Sequence, residues 1–421
     1  MISIDQIRRL TVPLAAASAN GDHIPDLMAR YFAAGDDGTV VWWMTYAAPV
    51  RPHTPFLDGS LDIKDEAGAV ISIADVFDGR EPQRVDAHAA RGGEATIPFR
   101  VELMLDSQLV SYMHQYVARS PRLSEQHRAL VTRLLRFAVK KRIGYNPAFY
   151  FLEALRNPDG REREFARATA GSILDLHTMD DRHFLATGEI RPSPEIQEIY
   201  RRDYGCETNE ATVEAYTNGF VGPKVSPSLA DSGRGRVRYA TLLGIADIHR
   251  RRPGTNWPDI KKKCEAFDDM LGEVGAEMGL ERLVAVRHFA GQLDDFLPVQ
   301  KGARIDRVLS RLKAAVWDLE LLSMPAIRLA QPPEFGVVVA YPCTADRSLG
   351  ELAKSFTIEL VVALSDDRYP LPVYGLRDRI LQQALAIRGR GRPWTRTRRL
   401  QEAELDALVY EREQQTIAHC R

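Results

Sequence analysis

The sequence predicts an α/β protein with a parallel sheet, and three observations point that way. GVVVAYPC, from Gly336 to Cys343, is an apolar, β-branched run without alternation, the pattern of a strand covered on both faces. Patterns of helical period flank it, GARIDRVLSRLKAAVWDLELLSMPAIRLAQ before and TADRSLGELAKSF after. VELMLDSQLVSYM, from Val101 to Met113, makes the same change of period, with Asp106 standing where the strand stops and the helix begins.

The elements follow in order. Residues 1–98 read as a β-rich module, because runs such as TVVWWMTYAAPV and AVISIADVF are broken by Gly, Pro and Asp. A first core segment, 99–157, holds the strand ending at Asp106 and a helix with Leu109, Met113 and Val117 at helical spacing. It also holds LSEQHRALVTRLLRFAVKKR, with Ser124 as N-cap, Glu125 in the first turn and cations at the end, and then NPAFYFLEALRN. Residues 158–304 read as a large helical insertion, interrupted at 189–195, 219–235, 252–258 and 298–304. A second core segment covers 305–385, and 386–421 form a basic tail and helix.

The chain has 421 residues and 45% hydrophobic composition, enough for a sizeable core. With 56 Lys plus Arg against 57 Asp plus Glu, overall charge argues for no nucleic-acid or membrane partner, so any such argument is local. Cys206, Cys264, Cys343 and Cys420 are widely spaced, without CxxC pairs, which argues against zinc and a disulfide framework. No run approaches the ~18 apolar residues of a membrane span, and a cytoplasmic location is expected.

The chemistry-bearing candidates are carboxylates. Asp346 follows the GVVVAYPC strand as Asp106 follows its own, and groups beyond the carboxyl ends of adjacent parallel strands share one crevice. Each aspartate alone reads equally as a helix N-cap. Together they would repel, and a cation, a shared proton or an arginine relieves that repulsion. Among cations, hard oxygen ligands select Mg²⁺ or Mn²⁺.

At these residues the chain resembles the PIN-domain nucleases. The resemblance rests on LMLDS before a helix, NPAFYFLEAL with Glu153, VWDLELLSMPAIRLA with Asp318, and a strand followed by TADRSLGELA, in that order. It covers roughly 99–157 and 305–357. It implies a PIN-like three-layer core in which Asp106, Glu153, Asp318 and Asp346 bind Mg²⁺ or Mn²⁺ and act in catalysis. Asp318 would open the helix before the last shared strand. Ser107 and Thr344 fill supporting hydroxyl positions, Ser107 standing with Gln108 where many members carry Thr-Asn. The resemblance further implies phosphodiester hydrolysis, of RNA ahead of DNA, with a toxin–antitoxin or defence setting by analogy. The competing expectation is a non-catalytic scaffold on a degenerate nuclease fold, with 158–304 as a protein-binding surface.

Other patterns carry less. His177, Asp180, Asp181 and His183 in LDLHTMDDRH invite a metal reading, but the segment is polar and helical and reads as a solvated or interface helix. SGRGRVRYATLLG lacks the ending of a P-loop, and no G-x-S-x-G elbow occurs. Basic runs at Arg133–Arg142, Arg250–Arg252 and Lys261–Lys263 read as solvated faces. The tail differs, because Arg388, Arg390, Arg392, Arg396, Arg398 and Arg399 stand among Gly, Pro and Trp394, a composition suited to phosphates and a stacked base.

If those arginines contact phosphates, replacing Arg396, Arg398 and Arg399 by Ala flattens the slope of log K against log salt by roughly 0.7 per lost single-strand contact. Trp394→Ala instead costs about 1–3 kcal/mol with the slope unchanged. Titration of labelled RNA at three salt concentrations measures both, and lowered thermal stability with unchanged affinity in the triple variant would identify a structural arm instead.

Overall fold

The computed structural model describes residues 41–49, 54–66, 68–85, 99–155, 160–220, 233–274, 279–293, 296–297, 303–330, 336–364, 371–385, 387 and 401–420. The architecture is mixed α/β with a predominance of helix. Its strands are β1 (Val41–Pro49), β2 (Leu61–Lys64), β3 (Val70–Ile73), β4 (Arg80–Val85), β5 (Phe99–Leu105), β6 (Gly144–Asn146), β7 (Val337–Thr344), β8 (Phe356–Leu364) and β9 (Leu371–Leu376). They form a five-stranded sheet in the order β2-β3-β7-β5-β6 and a four-stranded sheet in the order β4-β1-β8-β9.

The larger sheet is parallel from β7 through β5 to the edge strand β6, while β3 runs antiparallel to β7 and β2 to β3. Every residue of β7 is buried, as its unbroken apolar run requires. The register pairs Phe99 with Val337 and Leu105 with Cys343. The two strands therefore finish in step, and Asp106 and Thr344 emerge side by side.

The described strands within 1–98 do not make a sheet of their own. β3 covers the edge of β7 that β5 leaves open, and β1 lies between β4 and β8. A buried central strand with an unpaired edge would leave backbone donors and acceptors without partners. The N-terminal strands meet that requirement, and the chain uses them to complete both sheets.

Helices place the remaining parts. The Ser107–Val117 helix leaves β5 directly. Ser124 caps the Glu125–Lys141 helix through the His127 amide, as its sequence predicts, and Arg142 ends it in the left-handed conformation at φ 55°. Among the described residues between 160 and 289 the chain is mostly helical, with breaks that include 188–193, 219–220 and 252–256, near the sequence expectation. The glycine- and arginine-rich SGRGRVRYATLLG stretch lies largely within the Gly233–Arg251 helix. Among the described residues no helix is long and apolar enough to cross a membrane.

The Ile305–Leu329 helix packs on β7 and is tied down near its C-terminus and at its middle. Arg328 near its C-terminus donates to Glu102 of β5 at 2.8 Å. Trp317 meets Phe149 edge-on at 5.5 Å between centroids, which joins this helix to the Ala148–Ala154 helix carrying Glu153.

The Arg347–Ala353 helix lies against β3, and Gly350 sets that approach, since a Cβ there would stand 2.8 Å from Ser72 Oγ. We expect Gly350→Ala to lower stability despite its better helix propensity. Overpacking costs typically about 1–3 kcal/mol against a gain of about 1 for replacing glycine. Urea unfolding measures the balance, and a raised midpoint would mean that this helix does not bear on β3.

Candidate active site

Asp106 is a buried carboxylate, 8% exposed, at the end of β5. Its Oδ1 accepts the Leu109 amide at 2.6 Å and so caps the helix that follows. Its Oδ2 accepts the Ala345 amide at 3.1 Å and the Thr344 hydroxyl. One side chain thus joins the ends of two parallel strands 238 residues apart in the chain. Charge-assisted bonds of this kind each stabilise by about 1.5–3 kcal/mol, which offsets much of the cost of burying the charge. Burial nevertheless dominates and pushes the Asp106 carboxyl above the usual range, with Asp346 adding to the effect.

Asp346 caps its own helix by accepting the Leu349 amide at 2.9 Å. Its backbone N–H donates to Thr344 Oγ1 at 2.9 Å. The Thr344 hydroxyl therefore accepts from Asp346 and donates to Asp106, fixing both acids through one atom. Each aspartate is an N-cap, so the bland sequence alternative describes both correctly. It leaves open why the two carboxyl groups share one space at the strand ends, within electrostatic reach of each other.

Two further acids face that space. Glu153 lies at an exposed position on its helix and accepts from the Ser107 hydroxyl, so Ser107 orients Glu153 as Thr344 orients Asp106. Asp318 projects from the Ile305–Leu329 helix with 22% of its side chain exposed. It does not open that helix, as the resemblance implies. Val308, Leu312 and Ala315 are buried ahead of it, so one apolar face runs on without a break and Asp318 falls in the interior. Its Oδ2 is buried and accepts no hydrogen bond.

Desolvation drives the Asp318 pKa up to about 7; Arg311 opposes the rise, while Asp346, Asp106 and Glu153 each add to it. Asp318 is thus within electrostatic reach of each of the other three predicted acids, and Asp106 of Asp346. They do not close into a ready ligand set: among the described residues no three His, Cys, Asp or Glu side chains are arranged to hold a metal ion.

The sequence reading missed Arg311. Its Nη1 is 3.5 Å from Asp318 and its Nη2 is 3.8 Å from Asp346, while its guanidinium lies over the Phe296 ring at 5.6 Å. The available signal was its place seven residues, or about two helical turns, before Asp318.

The His-Asp segment is structural. His177 Nε2 donates to the Tyr145 carbonyl at 3.1 Å, and burial lowers its pKa to about 4, while Asp180 caps a helix through the His183 amide. The tail residues Arg388, Arg390, Arg392, Trp394, Arg396, Arg398 and Arg399 lie outside the described residues. No family model, curated protein or solved structure matches the chain.

The raised Asp318 pKa makes stability depend on pH. Between pH 3.8 and about 7 the folded chain holds a proton that the unfolded chain releases, so metal-free stability falls as pH rises through that window. Asp318→Asn removes the penalty. In chelator, the variant should gain on the wild type from pH 5 to pH 8, by on the order of 2–4 kcal/mol, and thermal melts at both pH values read the difference. An equal difference at both would show that Asp318 ionises normally.

Proposed function

We propose that this chain is a metal-dependent nuclease with a PIN-like three-layer core, and that Asp106, Glu153, Asp318 and Asp346 bind Mg²⁺ or Mn²⁺. The observation that carries the reading is the buried Oδ2 of Asp318, which accepts no hydrogen bond, meets Arg311 only at 3.5 Å and lies within electrostatic reach of the acids at the ends of two parallel strands. A carboxylate so placed gains most from a hard divalent cation, which removes its repulsion and ligates an oxygen that no donor hydrogen-bonds.

The residues divide the work. Thr344 holds Asp106 and the Asp346 backbone, and Ser107 holds Glu153, so two of the acids are oriented before any ligand arrives. Asp318, with a pKa near neutrality, can lose its proton when positive charge enters. Bound divalent ions supply polarisation of the scissile phosphate, an attacking water of lowered pKa and stabilisation of the leaving oxygen. The substrate proposed is single-stranded nucleic acid, RNA by the resemblance, met by the basic tail. The toxin or defence setting stays an analogy, and residues 158–304 are proposed as a partner surface.

Asp346→Asn gives the cleaner test. Asn caps a helix about as well as Asp, and the Asp346 side chain accepts one backbone amide, so the fold should survive. Asp106→Asn is harsher, because both Asp106 oxygens accept from donors and an amide group would face one of them. Mn²⁺-dependent cleavage of single-stranded RNA should fall to background in Asp346→Asn, with its circular dichroism unchanged. Absence of cleavage by the wild type across RNA and DNA substrates would favour the scaffold reading.

A further inference from the structure

Among the described residues, four carboxylates and one guanidinium come together at the carboxyl edge of β5 and β7, so this group is short of positive charge. Arg328 and Arg311 of the Ile305–Leu329 helix meet carboxylates in contacts of different quality. Arg328 meets Glu102 at 2.8 Å, in the 2.7–2.9 Å range of a charge-assisted hydrogen bond. Arg311 stands at 3.5 and 3.8 Å from its two acids, in electrostatic contact but outside that range. The first contact fastens the helix to the sheet. The second can part at little cost.

The surroundings of Arg311 favour a side chain with two positions. It is 28% exposed, and its guanidinium rests on the face of Phe296, which is itself buried. An aromatic face attracts a cation without fixing the direction of its N–H groups, so it supports the guanidinium while the acid contacts change. Asp318 and Asp346 belong to different elements, a helix interior and a helix cap, and among the described residues Arg311 is the cation in contact with both.

We propose that Arg311 is a displaceable counter-cation: its guanidinium lies between Asp318 and Asp346 in the metal-free protein, and it leaves them for a phosphate of the nucleic acid when a divalent cation is bound. The inference rests on the metal-site reading above. It makes Arg311 and the divalent ion competitors for the same two carboxylates. Arg311 is also a positioning residue for the substrate, since a guanidinium offers paired donors that match phosphate oxygens.

Mn²⁺ binding to the full chain, followed by electron paramagnetic resonance without nucleic acid, tests the competition. Arg311→Gln should bind Mn²⁺ about tenfold or more tighter than the wild type, because a repelling charge a few ångströms away is gone. Arg311→Lys should lie between. Arg307→Gln removes the same charge from an exposed position one turn earlier and should change the affinity by less than about twofold. With Mn²⁺ saturating, Arg311→Gln should raise KM for single-stranded RNA more than it lowers kcat. Circular dichroism at neutral pH checks that each variant is folded, and Arg311→Lys carries the comparison if Arg311→Gln is not. Equal Mn²⁺ affinity in the wild type, Arg311→Gln and Arg311→Lys overturns the inference and leaves the metal site standing. Failure of the wild type and both Arg311 variants to bind Mn²⁺ at millimolar concentration overturns the metal reading, and the inference with it.

Discussion

The structure depends on the carboxylate of Asp106 and on what it joins. Its two oxygens take a helix amide on one side and the amide and hydroxyl that follow β7 on the other. Residues far apart in sequence thereby end at one point. A buried charge is tolerated only where donors surround it, and here the donors come from both halves of the core. The site and the closure of the sheet are for this reason one arrangement.

The same constraint explains the uneven character of the acid cluster. Asp106 is satisfied by three donors, Glu153 is exposed and Asp346 partly so, and Asp318 is half-buried with a buried oxygen that accepts no hydrogen bond and meets Arg311 only at 3.5 Å. A cluster built for stability alone would have replaced Asp318 or paired it closely, since a lone buried carboxylate is costly. Groups held away from their normal ionisation concentrate where function requires it, although structural ion pairs shift them too. Here the nearest compensating group, Arg311, is loosely placed, which separates this cluster from the buried contact of Arg238 with Glu320 at 2.8 Å.

Helix geometry accounts for the rest of the placement. The Ile305–Leu329 helix is long because its apolar face is continuous, and it is directed because Arg328 is fastened to Glu102 and Trp317 rests on Phe149. Asp318 is carried to the site by these contacts made on either side of it, with no local cap or turn involved. Gly350 allows the Asp346 helix to press against β3, which brings the N-terminal strands into the support of the site.

The sequence by itself determined the local events. An apolar run ending at Asp106 and another ending near Asp346 showed two strand-to-helix junctions, since period and capping are properties of neighbouring residues. Ser124 and the run of helices after residue 160 were legible for the same reason. Tertiary structure decided what depends on distant segments. It assigned the N-terminal strands to the open edges of β7 and β8, because an edge is covered by whichever strand can reach it. It set Asp318 inside a helix and Arg311 between two acids, because an arginine on a helix looks the same in sequence whether it faces water or a carboxylate. It also pushed the Asp318 pKa up, since that follows from burial and from charges supplied by three other elements, and no window of sequence contains them all.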